Sequence, residues 1–189
     1  MVTATYNDIK DDFEELRDFF TNDLRILIQS SVGGNYAAVL IATTACEVLG
    51  PLRFENNGER EFFRMYLLPE TWRTVAPSLY DALRNGLAHS YATKTILNIN
   101  GADLELGISW SEKPHLQFDH KHSVLYINVR KLAQQVSEAL AVYEEELKAQ
   151  PKLCVLYAER RKRKRIINVH TSVEREEWKA LLSSKAIVT

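Results

Sequence analysis

The chain has 189 residues, of which 46% are hydrophobic and 26% are charged, and its formal net charge is −1 at pH 7. This length and apolar content suffice for a buried core, either as one domain or as one domain with a tail. Because the net charge is close to zero, no whole-molecule field attracts nucleic acid. Any binding of nucleic acid must therefore depend on a local cluster of cations.

The two cysteines, Cys46 and Cys154, occur singly in apolar surroundings and lack the paired spacing of a disulfide framework or a zinc site. We therefore expect a reducing, cytoplasmic location. Residues 1–4 lead into a charged segment rather than a signal peptide, and no stretch approaches the roughly 20 apolar residues that cross a bilayer. These features predict a soluble protein with no membrane partner.

The first half of the chain is predicted to be helical. Apolar residues recur every three or four positions from Tyr6 to Ser30, which is typical of an amphipathic helix. A second helix, from Asn35 to about Leu49, is apolar nearly all round, so we expect it at the centre of a bundle. Residues 50–58 are predicted to form a connection, and residues 59–68 a shorter helix.

In the middle of the chain, two prolines and a change in the spacing of apolar residues mark the predicted helices and strands. Pro69 and Pro77 each suit the first turn of a helix, and the helix that Pro77 opens is predicted to end near Tyr91. Strand-like segments follow, separated by turn signals, at residues 95–99, 104–110, 115–118 and 124–129. A further helix is predicted from about Arg130 to Lys148. The fold class is therefore mainly α, an up-and-down helical bundle with a small added antiparallel β-sheet at about residues 95–129.

Pro151 marks a predicted boundary between a helical domain, residues 1–150, which includes the sheet as an insertion, and a basic extension, residues 151–189. Within the extension, residues 153–157 and 166–169 are strand-like, and a short helix is predicted at about residues 172–182. Between the strand-like segments lies a run of cations: Arg160, Arg161, Lys162, Arg163, Lys164 and Arg165. This run either binds RNA phosphates in a salt-sensitive way or forms a solvated face or flexible segment.

The candidate site lies on the helix that Pro77 opens, in the run Arg84-Asn85-Gly86-Leu87-Ala88-His89-Ser90-Tyr91. At about 100° per residue, Asn85 and His89 share the outward face, and Arg84 and Tyr91 lie at the edge of a buried stripe formed by Ala76, Tyr80, Leu83 and Leu87. This set of side chains suits metal-free chemistry on a phosphate, which needs an acid or base with a pKa near neutral, and an imidazole has a pKa of roughly 6.5. Such a reaction passes through a phosphorane, a negatively charged species with five-coordinate phosphorus. The forked guanidinium of Arg84 suits this charge.

The same spacing also fits a helix without function. Arg84 and Asn85 would then lie on the solvent-exposed face of the helix, and Tyr91 would pack against the core. His89 would lie near the C-terminus of the helix, where the helix dipole favours the protonated imidazole. However, the asparagine directly after the arginine and the tyrosine two residues after the histidine resemble the motif of the HEPN superfamily. The longer form, with that tyrosine, is similar to HEPN toxins of toxin-antitoxin pairs. The resemblance covers roughly residues 6–148.

This resemblance implies a helical bundle that dimerises and brings two copies of the motif into a cleft that cuts RNA without metal. It implies that Arg84 and His89 are the catalytic pair, that Asn85 supports them, and that Tyr91 is a position that some antitoxin nucleotidyltransferases modify with adenylate. One motif contains too few groups to supply both the acid and the base of the reaction. A dimer would bring two copies of His89 and Arg84 together, which gives a chemical reason for dimerisation. The strand-rich stretch at residues 95–129 departs from a minimal helical HEPN domain.

Two further groups of residues have alternatives that the sequence leaves open. Glu47 is the one charge on the apolar second helix, and it either pairs with Arg84 or reaches solvent near the helix end. His115, His120 and His122 suggest a zinc site or, as the interpretation we favour, a polar hairpin turn, because no cysteine or second spaced carboxylate accompanies them. We expect no metal and no cofactor.

The sequence thus supports two functions of different classes. The first is a metal-independent endoribonuclease of the HEPN type that acts as a homodimer on RNA, in toxin-antitoxin or phage defence, with an antitoxin such as a nucleotidyltransferase as a partner. The second is a non-catalytic HEPN-like module that binds RNA or a protein. They differ in whether Arg84 and His89 of two chains converge on an open groove or are buried in local salt bridges.

Overall fold

The computed structural model describes residues 4–29, 35–90, 96–99, 101–110, 114–164, 173, 175, 176, 179 and 180. Its helices are α1 (Tyr6–Gln29), α2 (Asn35–Arg53), α3 (Gly58–Phe62), α4 (Ala76–Ser90), α5 (Val129–Ala149) and α6 (Pro151–Lys164). A π-helical turn (Phe63–Leu67) continues α3, and a 3₁₀ helix (Glu70–Val75) leads into α4. The strands are β1 (Ile96–Ile99), β2 (Ala102–Ser109), β3 (Gln117–Asp119) and β4 (Val124–Asn128). The predicted mainly helical chain with a small sheet is confirmed.

The central position predicted for α2 is also confirmed. This helix contacts α1, α3, α4, α5 and α6, and its residues Val39, Cys46, Leu49 and Leu52 are completely buried. Among the described residues, α2 is the one helix long and apolar enough to cross a membrane. A central bundle helix meets the same criterion, and half of the most apolar stretch of α2 is buried inside the protein.

The predicted connection at residues 50–58 is wrong in its first half, because α2 continues through Gly50 and Pro51 to Arg53. The two glycines of this segment are packing residues. A Cβ added to Gly50 would lie 2.2 Å from the carbonyl oxygen of Gly58, and a Cβ added to Gly58 would lie 2.5 Å from the carbonyl carbon of Gly50. The backbones of α2 and α3 therefore touch. The connection itself is residues 54–57, where Asn57 adopts a left-handed φ of 48°.

The sheet has the strand order β1-β2-β4-β3. The outer pairs, β1 with β2 and β3 with β4, are antiparallel as predicted. The antiparallel prediction is wrong for the central pair, because β2 and β4 run parallel, with Glu105 beside Val124 and Ser109 beside Asn128. After β2 the chain forms the edge strand β3 and then returns to form β4, which lies between β2 and β3. Leu106, Leu125 and Ile127 lie on the face turned to the helices and are buried.

The strand predicted at residues 153–157 is wrong, because this segment lies in α6. Pro151 occupies the first position of that helix, where its missing N–H costs nothing. Leu153, Cys154 and Tyr157 point into the core, and none of them is more than 4% exposed. The first helix of the predicted basic extension therefore packs into the bundle. The strand predicted at residues 166–169 lies outside the described residues. The described residues of the predicted terminal helix, 173, 175, 176, 179 and 180, are helical.

A carboxylate joins α5 to α1. Glu144 is 13% exposed. It accepts hydrogen bonds from the Tyr6 hydroxyl at 2.7 Å and from Nη1 of Arg17 at 2.9 Å, and its Oε1 lies 2.9 Å from Nζ of Lys148. Burial alone would raise the pKa of Glu144, but the donors of Tyr6, Lys148 and Arg17 outweigh burial and hold this pKa below its usual range.

We expect Glu144→Gln to lower the free energy of unfolding at pH 7 by about 2 kcal/mol, because hydrogen bonds to a charged group are lost. A depressed folded-state pKa contributes stability that is complete above the unfolded-state pKa of about 4.3 and disappears as the pH falls through the folded-state value. Urea unfolding at pH 7 and pH 3 tests this, and the difference between the two proteins should shrink at pH 3. Glu145→Gln is the control, since Glu145 is 74% exposed. A difference of the same size at both pH values would contradict the prediction.

Candidate active site

The helix α4 carries the candidate motif and is held from one side by the core. Ala76, Tyr80 and Leu83 are at most 3% exposed, which confirms the predicted buried stripe. From α3, Arg60 makes two hydrogen bonds to Asp81, from Nε to Oδ1 at 3.0 Å and from Nη2 to Oδ2 at 2.9 Å. Packing and this forked ion pair together fix the position of α4 against α2 and α3.

Arg84 is paired with Glu47. Nε of Arg84 donates to Oε1 of Glu47 from α2, so of the two alternatives for Glu47 the structure contains the ion pair. The two side chains are 32% and 35% exposed. The hydrogen bond to Glu47 raises the pKa of Arg84 above its usual value, so this guanidinium stays positively charged. The pair therefore lies at the edge of the core, with one side open to solvent.

The other residues of the motif divide into described and undescribed parts. Asn85 is exposed, as the helical wheel predicts. His89 belongs to α4 by its backbone, but its side chain lies outside the described part of the structure, and so does Tyr91 as a whole. The structure thus joins Glu47 to Arg84 at the junction of α2 and α4, and Asn85 follows Arg84 on the exposed side of α4. The predicted proximity of His89 to them follows from the helical spacing alone.

Sequence analysis placed Tyr80, one turn before Arg84, in the buried stripe but gave it no part in the candidate site. Its side chain is 3% exposed, and within the described residues its buried hydroxyl has no hydrogen-bond partner. Burial first, and then the charges of Cys46, Glu47 and Glu59, raise the pKa of this phenol, so it stays protonated. The signal that could have found it is the four-residue step to Arg84, which places both on adjacent turns of one helix.

The basic run is only partly available to a ligand. Arg161 donates from Nε to Oδ2 of Asp12 at 2.9 Å, and Nη1 of Arg160 lies 3.4 Å from the carbonyl oxygen of Leu52 at the end of α2. Both arginines therefore attach α6 to the bundle, which corrects the expectation of a solvated or flexible segment at these two positions. Lys162 is exposed. The side chains of Arg163 and Lys164 and all of Arg165 lie outside the described residues.

The three histidines near the sheet do not come together. Nδ1 of His115 accepts a hydrogen bond from the backbone N–H of Asn128 at 3.2 Å, and burial lowers the pKa of this imidazole. His120 and His122 lie in the exposed turn before β4, where Nδ1 of His122 is 2.9 Å from Oδ2 of Asp119. Within the described ranges, no group of three or more His, Cys, Asp or Glu side chains is arranged to hold a metal ion. The hairpin interpretation fits His120 and His122 and is wrong for His115.

Comparisons of this chain with family models, with curated proteins and with solved structures found no match. The functional argument therefore depends on the motif and on its surroundings in the fold.

Proposed function

We propose that this protein is a metal-independent endoribonuclease of the HEPN type, active as a homodimer in which each chain contributes one motif. The observation that carries the proposal is the Glu47–Arg84 ion pair beside the exposed Asn85. It supplies a cation that is fixed in direction, remains charged at any physiological pH and is still open to solvent. A fixed cation of this kind is what the charged transition state of phosphodiester cleavage needs.

The chemistry divides among the residues of the motif. A guanidinium carries five N–H donors, and Nε of Arg84 serves Glu47, so the terminal nitrogens can bind a phosphate in a forked geometry. Asn85 offers an amide for a second hydrogen bond to phosphate or ribose. His89 is the group that would move the proton of the 2′-hydroxyl, since its ordinary pKa lies near neutral. The partner's copy of the motif would provide the second proton-transfer group.

The same ion pair is also the observation that favours the second candidate, a non-catalytic module that binds RNA or a protein. A salt bridge within one chain is sufficient to explain why Arg84 is present, without any reaction. The two candidates make different predictions for His89, because a structural salt bridge between Glu47 and Arg84 does not need it. The proposed setting, toxin-antitoxin or phage defence with a nucleotidyltransferase antitoxin that modifies Tyr91, belongs to the first candidate alone.

The test is incubation of the purified protein with single-stranded RNA and with transfer RNA in EDTA, beside His89→Ala at matched folding and dimer content. We expect cleavage by the wild-type protein, with 2′,3′-cyclic phosphate at the new ends, and no cleavage by the variant. Glu55→Gln is a useful control, because Glu55 is exposed in the connection between α2 and α3 and is not part of the motif. Equal cleavage by the wild type and His89→Ala, or none by the wild type, would overturn the ribonuclease proposal for these substrates.

A further inference from the structure

A groove of about 310 Å³ runs along the contact between α1 and α5. On α1 the lining residues are Thr21, Leu24, Arg25 and Ile28, and on α5 they follow the same steps, starting at Arg130 and ending at Ser137. Each wall is therefore about two turns, or roughly 10 Å, long. The candidate motif lies on α4, which contributes no residue to this lining. The groove is thus separate from the candidate active site.

The floor of the groove is apolar. Leu24 is 2% exposed and Ala133 is 3% exposed, and Ile28 is half-buried beside them. The hydroxyls of Thr21 and Ser137 each donate to a carbonyl oxygen one turn back in their own helix, at 2.8 and 3.3 Å. Their hydrogens are therefore already used, and an occupant gains most by placing apolar groups on this floor.

Two guanidinium groups line the groove, one from each helix, and both side chains are exposed. Nη2 of Arg25 donates to Oδ1 of Asn22 at 3.2 Å, and Cζ of Arg130 lies 5.8 Å from the centre of the Trp110 ring. These neighbours are neutral. In contrast, carboxylates pair with Arg17, Arg53, Arg60, Arg64, Arg84 and Arg161.

The lining of the groove contains no acidic residue that could neutralise these two cations. Its remaining polar group, the amide of Gln134, accepts a hydrogen bond from Lys131 at 3.2 Å and donates to Glu138 at 2.7 Å. This amide is therefore occupied by its own helix. A guanidinium carries five N–H donors, so Arg25 and Arg130 keep donors for an anionic group of an occupant.

We propose that this groove is a docking site for an acidic amphipathic helix of a partner protein. Its apolar side chains would lie on Leu24, Ile28 and Ala133, and its carboxylates would pair with Arg25 and Arg130. The lining residues recur at steps of three and four on both walls, which is the spacing against which a third helix packs. RNA would bring phosphates to the cations but no apolar side chains to the floor. The site does not depend on the proposed ribonuclease function.

The binding test uses a labelled designed peptide of about 18 residues, or five turns of helix, with leucines on one face and glutamates beside them. Fluorescence anisotropy gives its Kd for the full chain, for Arg25→Gln and for Arg130→Gln. The matched control is Lys152→Gln, because Lys152 is an exposed cation on α6, outside the groove. We expect each arginine variant to raise the Kd by about 2- to 5-fold, as the loss of an exposed ion pair does, and the control to leave it unchanged.

An exchange of charge shows whether the arginines contact the peptide directly. The double variant Arg25→Glu, Arg130→Glu should prefer a peptide with lysines in place of the glutamates, whereas the wild type and Lys152→Glu should prefer the original. Serine in place of two leucines should raise the wild-type Kd by about tenfold or more, because the apolar floor loses its contacts. Unchanged Kd values in both arginine variants, no exchange of preference, or no binding by the wild type would overturn the proposal.

Two other occupants give distinct results. If single-stranded RNA displaces the peptide and loses affinity for Arg25→Gln and Arg130→Gln, the groove binds nucleic acid instead. If sedimentation shows self-association of the wild type that the double variant Arg25→Glu, Arg130→Glu abolishes, the occupant is a second copy of this chain. Either result would overturn the assignment to an acidic partner helix.

Discussion

Replacing Arg84 with alanine is expected to lower kcat/KM for RNA cleavage by about 10²- to 10³-fold, the usual cost of removing one preorganised donor to a charged transition state. The loss should appear mainly in kcat, because the phosphorane carries more charge than the bound phosphate. Stability should change little, since an ion pair as exposed as Glu47–Arg84 contributes about 0–1 kcal/mol. The measurement is steady-state cleavage of a defined RNA, with circular dichroism and sedimentation to confirm fold and dimer content.

Two further variants separate the charge of Arg84 from its geometry. Arg84→Lys keeps the charge but loses the fork, so we expect it to recover only a small part of the activity. Glu47→Gln keeps the size of the side chain but weakens the hydrogen bond that orients the Arg84 guanidinium. We expect it to lower kcat by about tenfold, as the loss of an outer-shell orienting partner does. Full activity in Arg84→Lys or no loss in Arg84→Ala would show that the motif does not use a forked donor.

Replacing Gly50 with alanine is expected to lower the free energy of unfolding by about 3 kcal/mol or more, which is at the upper end of the effects of overpacking. The added methyl group would lie 2.2 Å from the carbonyl oxygen of Gly58. Backbone cannot swing aside as a flexible side chain does, so α3 must move away from α2. Urea unfolding measures the change through the transition midpoint at a constant slope.

Gly58→Ala provides an independent test of the same contact, because its Cβ would meet the backbone of Gly50 from the other side. Thr44→Ala is the control on α2: Thr44 is exposed, and a surface change of this kind usually alters stability by less than about 0.5 kcal/mol. If Gly50→Ala and Thr44→Ala unfold at the same urea concentration, the close approach of the two helices is not a feature of the folded protein.

Much of the helical framework could be predicted from the sequence, because α1 and α5 carry long apolar stripes with helical spacing and α2 is apolar nearly all round. The prediction was less successful where short segments depend on their neighbours. Gly50 and Pro51 look like a break in a helix, but α2 continues through both of them, and Gly50 there contacts Gly58 of α3. Residues 153–157 form a short apolar run, and such a run fits a strand or a helix until its partners are known. The order of the strands could likewise not be predicted, because it depends on contacts between segments that are distant in the sequence.

The candidate site was predictable in part. The motif indicated the helix and the outward face of Asn85, and the cost of burying a lone charge made Arg84 a candidate partner for Glu47. Nothing in the local pattern indicated the cavity that Trp72, Leu104 and Leu125 line, because these residues of the 3₁₀ helix and the sheet are distant in the chain. The fixed positions of Arg160 and Arg161 were missed for the same reason, since Asp12 and Leu52 lie far away in the sequence.

The contact between α1 and α6 also orders events during protein synthesis. Asp12 accepts hydrogen bonds from Tyr157 and Arg161, which follow it by 145 and 149 residues. At about 5–20 residues per second, a ribosome needs roughly 7–30 seconds to travel that distance. During this interval the core still lacks Tyr157, so Phe13 of α1 and Tyr143 of α5 cannot complete their packing until α6 has been made.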